Sequence, residues 1–276
     1  MNGGASDPIL LVGCGKMGGA LVKGWRARGI AADRILIVEP SEAARTAAAT
    51  LGVAVRAEPP AADPARPLAA VVLAVKPQVM GAVAPLYRAL VAPTTLVLSI
   101  AAGTTTATLK THLGAGAAVV RAMPNTPAAV GRGMTVLFAA DGVTQAQMNL
   151  AAELMAAVGE VRRVDREALM DPVTAVSGSG PAYVFHMIEA LAAAGVEAGL
   201  DPALAADLAR ATVIGSGELA RLSSDPPAKL RADVTSPGGT TEAALKVLMA
   251  EPGGLKELMT RAVAAAAQRS KELSGK

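Results

Sequence analysis

The sequence predicts an α/β fold in two parts: an N-terminal doubly wound parallel sheet over residues 1–164 and a C-terminal all-helical domain over residues 165–276. Three observations predict it. Short apolar runs alternate with helical patterns from Ile9 to about Val164, the signature of a parallel sheet covered on both faces. The first run opens into a glycine-rich turn and then a helix, Ile9-Leu10-Leu11-Val12-Gly13-Cys14-Gly15-Lys16-Met17-Gly18. From Asp165 onward the β-branched apolar runs stop and helical periodicity remains.

The glycines follow the spacing G-x-G-x-x-G, and each has a physical task. Gly13 permits a turn that a Cβ would obstruct. Gly15 lets backbone approach a pyrophosphate, and Gly18 lets the helix pack close to the strand. The helix start adds unpaired N–H groups and the positive end of a dipole, both favourable to phosphate. With a strand before it and a helix after it, the loop reads as a Rossmann-type dinucleotide site that includes Cys14, Lys16 and Met17.

The first helix runs from about Gly18 to Arg28 and is stopped by Gly29. Ile35-Leu36-Ile37-Val38 forms the second strand, and Glu39 ends it about 20 residues past Gly18. An acid there usually binds a ribose 2′-hydroxyl and repels a 2′-phosphate. Ser41 and Arg45 pull the other way, because hydroxyl and guanidinium groups suit phosphate, so NADH and NADPH both stay open. A helix over Glu42 to Leu51, the segment Val53-Ala54-Val55 and a proline-rich loop from Glu58 to Pro67 follow. Ala70 to Val75 is a continuous apolar run, as in a strand buried on both faces. It ends in Lys76-Pro77-Gln78, beyond the carboxyl end of a strand, where ligands of open α/β sheets lie; Lys76 is therefore placed to approach the cofactor.

Leu96 to Ile100 is the next strand, followed by the small-residue turn Ala101-Ala102-Gly103-Thr104. A helix leads to a strand over Ala117 to Met123, and two prolines stiffen the loop Pro124-Asn125-Thr126-Pro127. A strand over Thr135 to Ala139 and a helix over Gln145 to Val158 complete the alternation.

In the C-terminal half, Asp171-Pro172, Asp201-Pro202 and Asp225-Pro226 each read as an N-cap followed by proline at the first helical position. The helices expected are Pro172 to Val176, Pro181 to Ala198, Pro202 to Leu222, Pro226 to Val234, Thr240 to Ala250 and Gly254 to Leu273. The helix Pro181 to Ala198 is apolar on most sides, with Val184, Met187, Ile188, Leu191 and Val196 set among alanines. Such a helix expects to be buried on most sides. A domain of about a hundred residues has little interior to hide it, which predicts an obligate dimer through this half.

Composition narrows the function. Of 276 residues, 52% are hydrophobic and 2% aromatic, so Ala, Val and Leu fill the core. A net charge of +3, no Lys/Arg run and few rings for stacking argue against nucleic acid as a partner. The single cysteine, Cys14, excludes an intrachain disulfide, fits a reducing compartment and reads as a small packing residue. Residues 1 to 8 lack the basic and apolar regions of a leader. The most apolar long window, Ala182 to Gly199, carries His186, Glu189 and Glu197, so no membrane span is expected; the reading is a cytoplasmic, soluble protein.

Two segments are unusual for plain helical packing. Ser177-Gly178-Ser179-Gly180-Pro181 and Ser236-Pro237-Gly238-Gly239-Thr240-Thr241-Glu242 both precede a helix with small residues and free N–H groups. The second suits a small carboxylate. The competing reading is a plain helix cap with Thr240 or Thr241 at the N-cap. No His/Cys/Asp/Glu cluster has metal spacing and no G-x-S-x-G elbow is present, so no metal is expected. His112 sits in a loop-like context, His186 in the apolar helix, and Lys246 reads as a solvated helix lysine. A dinucleotide, an anion cradle and no strong acid or base suit hydride transfer, in which the protein supplies orientation. An imine fits: protonated on nitrogen, it accepts hydride without a strong protein acid.

These residues resemble the pyrroline-5-carboxylate reductases over nearly the whole chain. The resemblance is carried by Gly13-Cys14-Gly15-Lys16-Met17-Gly18, Ala74-Val75-Lys76-Pro77-Gln78, Ser99-Ile100-Ala101-Ala102-Gly103, Arg121-Ala122-Met123-Pro124-Asn125-Thr126-Pro127, Ser177 to Tyr183 and Val234 to Thr241, in that order. It implies reduction of 1-pyrroline-5-carboxylate to proline with NADPH or NADH. It implies that Ala74, Val75, Lys76 and Pro77 lie along the nicotinamide end of the cofactor; Asn125, Glu39 and Ser41 are counted with the cofactor site. It implies substrate binding by Ser236, Gly238, Gly239, Thr240 and Thr241, with the carboxylate on backbone N–H groups of the last three. The Thr241 hydroxyl would lie near the ring nitrogen; as a feeble acid near pH 7, it positions the imine. The resemblance further implies a homodimer through interleaved C-terminal helices, often assembled into decamers. Glu39 departs from the small polar residues common there, which bears on the usual NADPH preference.

Other readings are weaker. A β-hydroxyacid dehydrogenase carries a catalytic lysine with a nearby asparagine after a Gly-Gly motif, a pair not found here. A ketol-acid reductoisomerase needs a carboxylate cluster for magnesium, which the C-terminal half lacks. A nucleotide sensor without catalysis has no use for the cradle from Ser236 to Thr241.

Overall fold

The computed structural model describes residues 7–273; the leaderless reading of the N-terminus rests in part on residues 1–6, which lie outside the described residues. The first part is built from β1 (Ile9–Val12), α1 (Lys16–Ala27), β2 (Ile35–Val38), α2 (Glu42–Ala49), β3 (Ala54–Arg56), β4 (Ala70–Leu73), α3 (Met80–Val83), β5 (Leu96–Ser99) and α4 (Thr106–Leu113). It continues with β6 (Ala118–Met123), β7 (Gly133–Ala139), α5 (Gln145–Ala156), β8 (Gly159–Arg163) and α6 (Met170–Val173). Five helices follow: α7 (Gly180–Glu197), α8 (Pro202–Leu222), α9 (Pro227–Asp233), α10 (Thr240–Leu248) and α11 (Leu255–Leu273).

The eight strands form one sheet in the order β3-β2-β1-β4-β5-β6-β7-β8. Alternate side chains go to opposite faces, as the strand period requires. Ile9, Leu11, Ile35, Ile37, Val72 and Leu98 pack under α1 and α5, where Trp25 is buried and donates to the Leu154 carbonyl at 2.9 Å. Leu10, Val12, Val71, Leu73, Val97 and Val119 pack on the other face with Met80, Tyr87, Leu109 and Leu113. Continuous apolar runs thus become strands with both faces covered.

Two features differ from the sequence expectation of a wholly parallel sheet. β7 runs antiparallel to β6, with Met123 opposite Val136. The link from Met123 to Gly133 holds one 3₁₀ turn, Thr126–Val130, and is too short for a parallel crossover of a dozen or more residues. β8 is an additional strand, parallel to β7 at the sheet edge. Its charged residues Glu160, Arg162 and Arg163 hide the strand pattern and suit an edge, where charge discourages further pairing.

By packing, the chain forms two compact units: residues up to Gly178 with the segment from Ala266, and Ser179–Ala265. The composition changes at 164/165, but polar ties hold the next segment in the first unit. The Glu167 carboxylate accepts from the Thr106 N–H at 2.7 Å, the Thr106 hydroxyl at 3.0 Å and buried Arg121 at 2.8 Å. Asp171, read above as an N-cap, lies inside α6, is buried and accepts from Ser270 Oγ at 2.8 Å. Asp201 does cap α8, accepting from the N–H groups of Ala203 and Leu204. Asp225 does not cap α9; that helix begins at Pro227 with Pro226 at its N-cap.

Burial pushes the Glu167 carboxyl up, but the Thr106 N–H, the Arg121 guanidinium and the Thr106 hydroxyl outweigh it and hold the group below the usual carboxylate range. The folded state therefore binds fewer protons here than the unfolded one. The stabilisation is full above the ordinary carboxylate pKa of about 4.3 and is lost as pH falls through the lowered folded value. Glu167→Gln is expected to destabilise by about 3 kcal/mol at pH 7, because it leaves the buried Arg121 charge without a counter-charge. It is also expected to flatten stability against pH in the acid range, measured by urea unfolding. A variant that loses stability with acid as steeply as wild type removes Glu167 as a source of that slope.

In the second unit, α7 and α8 pack on each other through small residues. A Cβ at Gly195 would meet the Ala205 Cβ at 3.3 Å, and Ala205 and Ala209 are the buried residues of α8. Among the described residues none in α7 is buried within one chain; Val184, Met187 and Leu191 are exposed and Phe185 is 61% exposed.

Candidate active site

The β1–α1 turn has the geometry its glycines require. Gly13 has φ +85°, and a Cβ there would meet the Val75 side chain at 2.9 Å and the Ala74 carbonyl at 3.0 Å. A Cβ on Gly18 would lie 2.7 Å from the Gly13 carbonyl oxygen, so α1 approaches the loop as closely as backbone allows. A Cβ on Gly15 would meet nothing within 4 Å and would project into open space at the helix start. Gly15 is the N-cap of α1, with no side-chain cap and no acidic residue in the first turn. The donors of Lys16, Met17 and Gly18 thus remain available to an anion. An open cradle that one methyl would fill, walled by two close backbone approaches, fits a dinucleotide pyrophosphate.

β1 and β4 are adjacent, and strand order reverses there; this is the switch point at which α/β sheets bind ligands. The Gly13 N–H donates to the Val38 carbonyl at 2.8 Å and the Ala74 N–H to the Val12 carbonyl at 2.8 Å. These bonds draw the carboxyl ends of β1, β2 and β4 together. Hence Gly13, Cys14, Gly15, Lys16, Met17, Gly18, Glu39, Ser41, Ala74, Val75, Lys76 and Pro77 gather beyond the carboxyl ends of these strands. Lys76 is exposed and precedes the 3₁₀ turn that Pro77 begins. Asn125 follows β6 at the same carboxyl end; its Oδ1 accepts from the Met134 N–H at 2.9 Å and its Nδ2 donates to Ser177 Oγ at 3.3 Å.

Glu39 ends β2 with both carboxylate oxygens engaged. Oε2 accepts from the Cys14 N–H at 2.9 Å and Oε1 from the Ser41 N–H at 3.0 Å. Burial, and secondly the Glu39 charge, raise the pKa of the Cys14 thiol, which packs against the core as a neutral group. The same two causes push the buried Tyr87 phenol up to about 12, so it stays protonated.

In the second unit, α10 starts without a threonine cap. Gly239 is the N-cap, and Thr240 and Thr241 are the first two helical residues. Gly238 makes the turn at φ +70°, and the Gly239 N–H is taken by the Ser236 carbonyl at 3.0 Å. The first bond within the helix runs from the Ala243 N–H to the Gly239 carbonyl. The N–H groups of Thr240, Thr241 and Glu242 are therefore first-turn donors that the helix does not use. Ser236 and Thr240 are exposed and Thr241 is half-buried.

Sequence reasoning missed Glu242. Its carboxylate reaches back to the Gly238 N–H and pairs with Lys246 at 3.1 Å. The Gly238 N–H first, then Lys246, hold it below the usual carboxylate range. An acid at the third helical position was the available signal, since it commonly closes the turn before a helix. Lys246, read as a solvated helix lysine, is the exposed partner in that pair. Among the described residues no group of three His, Cys, Asp or Glu could hold a metal ion.

Comparison with known proteins agrees in both halves. The family model described as pyrroline-5-carboxylate reductase dimerisation matches residues 167–273, and one described as NADP oxidoreductase, coenzyme F420-dependent, matches residues 8–103. The pyrroline-5-carboxylate reductase of Pseudomonas aeruginosa is 41% identical over 96% of each chain, and that of Pisum sativum 39% identical over 95% of this chain and 94% of its own. Among solved structures, a pyrroline-5-carboxylate reductase from Coxiella burnetii superposes with a TM-score of 0.88 at 39% identity, covering 98% of this chain and 99% of that one. A pyrroline carboxylate reductase from Plasmodium falciparum, with NADP bound, gives 0.80 at 29% identity over 99% and 100%. With both halves matched and this degree of identity end to end, the chain belongs to the pyrroline-5-carboxylate reductase family.

Proposed function

We infer that this chain reduces 1-pyrroline-5-carboxylate to L-proline with NADH or NADPH, the closing step of proline synthesis. The observation that carries the reading is relatedness to the named reductases along nearly the whole chain, with both the glycine loop and the α10 start inside the match.

The bound dinucleotide supplies hydride to the imine carbon. The chain's residues bind and orient. The loop from Gly13 to Gly18 takes the pyrophosphate on backbone N–H groups, with Ala74 to Pro77 and Asn125 along the rest of the cofactor. Ser236 and Gly238 shape the turn before α10, and Gly239 caps it with its own N–H held by the Ser236 carbonyl, so the carboxylate expected on three N–H groups is left to those of Thr240 and Thr241. The Thr241 hydroxyl hydrogen-bonds the ring nitrogen. Threonine is too weak an acid near neutrality to drive protonation, so the imine is reduced in its protonated form and Thr241 fixes its orientation. The chain works as a homodimer through α7 and α8, whose apolar side chains one copy leaves exposed, and the dimers assemble further into decamers. Among the described residues no helix is long and apolar enough to cross a membrane; the reading places the enzyme in the cytoplasm.

The direct test follows absorbance of the reduced cofactor with 1-pyrroline-5-carboxylate, NADH and NADPH being run in parallel. Substrate-dependent oxidation with proline as product is expected. A folded protein that binds dinucleotide yet turns over neither cofactor overturns the reading. Thr241→Ala is expected to lower kcat/KM about 10- to 100-fold, or roughly 1.4 to 2.7 kcal/mol. An unchanged rate removes Thr241 from the reaction.

A further inference from the structure

We propose that this chain selects NADH over NADPH and that Glu39 is the discriminating residue: its carboxylate is pinned at the end of β2, and Ser41 and Arg45 beside it are engaged with backbone. The proposal rests on the reading that the Gly13–Gly18 loop holds a dinucleotide.

The sequence places three opposed groups at this point. Glu39 repels a 2′-phosphate, while Ser41 and Arg45 attract one. The structure separates their roles. Glu39 is held at three points, by the Cys14 N–H at 2.9 Å, the Ser41 N–H at 3.0 Å and its own N–H to the Arg56 carbonyl at 2.9 Å. A carboxylate offers about four acceptor sites, so two backbone bonds leave capacity for ribose hydroxyls. Turning the side chain away to admit a phosphate would break both side-chain bonds, one of which ties the glycine loop itself.

Ser41 is engaged in part and has a single O–H left to offer. Its hydroxyl caps α2, accepting from the Ala44 N–H at 3.4 Å. Arg45 is turned onto the chain as well, where Nη1 donates to the Glu39 carbonyl at 3.1 Å and to the Pro40 carbonyl. A guanidinium so bound stiffens the turn after β2 and would have to leave two acceptors to reach a phosphate. Arg56 stands at the matching end of β3, opposite Val38, and is the other guanidinium to test.

The chain carries its own binding probe. Its single tryptophan, Trp25, is buried in α1, so energy transfer from Trp25 to reduced nicotinamide reports binding without substrate or turnover. Titration of wild type is expected to give a Kd for NADH about 10- to 100-fold below that for NADPH, the scale of an unrelieved like-charge contact. Glu39→Ser is expected to shift the NADPH/NADH ratio towards NADPH by a similar factor. Glu39→Gln retains one acceptor for the loop while losing the charge, and is expected to shift the ratio the same way with a smaller loss of NADH affinity. Arg45→Ala and Arg56→Ala are expected to leave the ratio unchanged. Equal or tighter NADPH binding by wild type, an unchanged ratio in both Glu39 variants, or selective loss of NADPH in either arginine variant overturns the proposal. Binding of neither dinucleotide is a separate result; it overturns the dinucleotide reading on which this one rests.

Discussion

Replacing Gly15 with valine is expected to weaken dinucleotide binding at least about 100-fold, or 2.7 kcal/mol, while costing less than about 1 kcal/mol of stability. The two effects separate because of where the Cβ goes. At Gly15 it meets no protein atom within 4 Å, and φ −71° with ψ −164° is open to any residue. The added side chain occupies the space a pyrophosphate needs and nothing else. Gly18→Ala contrasts with it: the methyl would lie 2.7 Å from the Gly13 carbonyl oxygen, and since both partners are backbone, α1 or the loop must shift. That variant is expected to lose about 1 to 3 kcal/mol of stability together with binding. Gly19→Ala completes the series. It lies inside α1, meets nothing within 4 Å and is expected to gain up to about 1 kcal/mol from helix propensity. Thermal unfolding and NADH titration on the three proteins check this. If Gly15→Val binds like wild type, the pyrophosphate does not sit on that backbone.

The glycine loop could be read from sequence because each glycine there answers a local constraint: a positive φ at Gly13, open space at Gly15, backbone contact at Gly18. Local constraints leave local signatures. The reversal of β7 was also within reach, since a link from Met123 to Gly133 cannot carry a crossover; the apolar run Thr135 to Ala139 gave no direction of its own. β8 was hidden because an edge strand carries charge in place of an apolar run. Asp171 and Ser270 were beyond sequence reasoning. An Asp-Pro pair signals a cap locally, and the partner that fixes Asp171 inside the fold lies 99 residues away. The same limit applies around Glu39. Sequence puts Ser41 and Arg45 beside it but cannot say that one caps α2 and the other bonds carbonyls. At α10 the first-turn N–H groups are unused by the helix, as an anion-binding start requires. The cap residue was displaced by one, to Gly239, and the closing carboxylate of Glu242 was overlooked.

Leu191→Glu is expected to convert the protein to monomer at micromolar concentration without unfolding it. Leu191 lies on the stripe Val184, Met187, Ile188 and Leu191 of α7, spaced to share one helix face. Three of the four are exposed in a single chain, as is Phe185 one residue along from Val184. An exposed apolar face of this kind on a folded unit marks a partner surface. The match to a dimerisation family over residues 167–273 points to a second copy as that partner. A charge placed within such a contact is buried without a counterion, at about 3 kcal/mol per copy. In a two-fold interface the change occurs on both sides, so association weakens by about 6 kcal/mol, roughly four powers of ten in Kd. The packing of α7 on α8 runs through Gly195, Ala205 and Ala209 and is left intact, so helix content by circular dichroism is expected to be unchanged. Sedimentation velocity on wild type and variant decides the matter. A variant with wild-type mass shows that the α7 face is not the one that joins the copies. A wild type that is itself monomeric removes the dimer, and with it the explanation for why this helix is apolar on nearly every side.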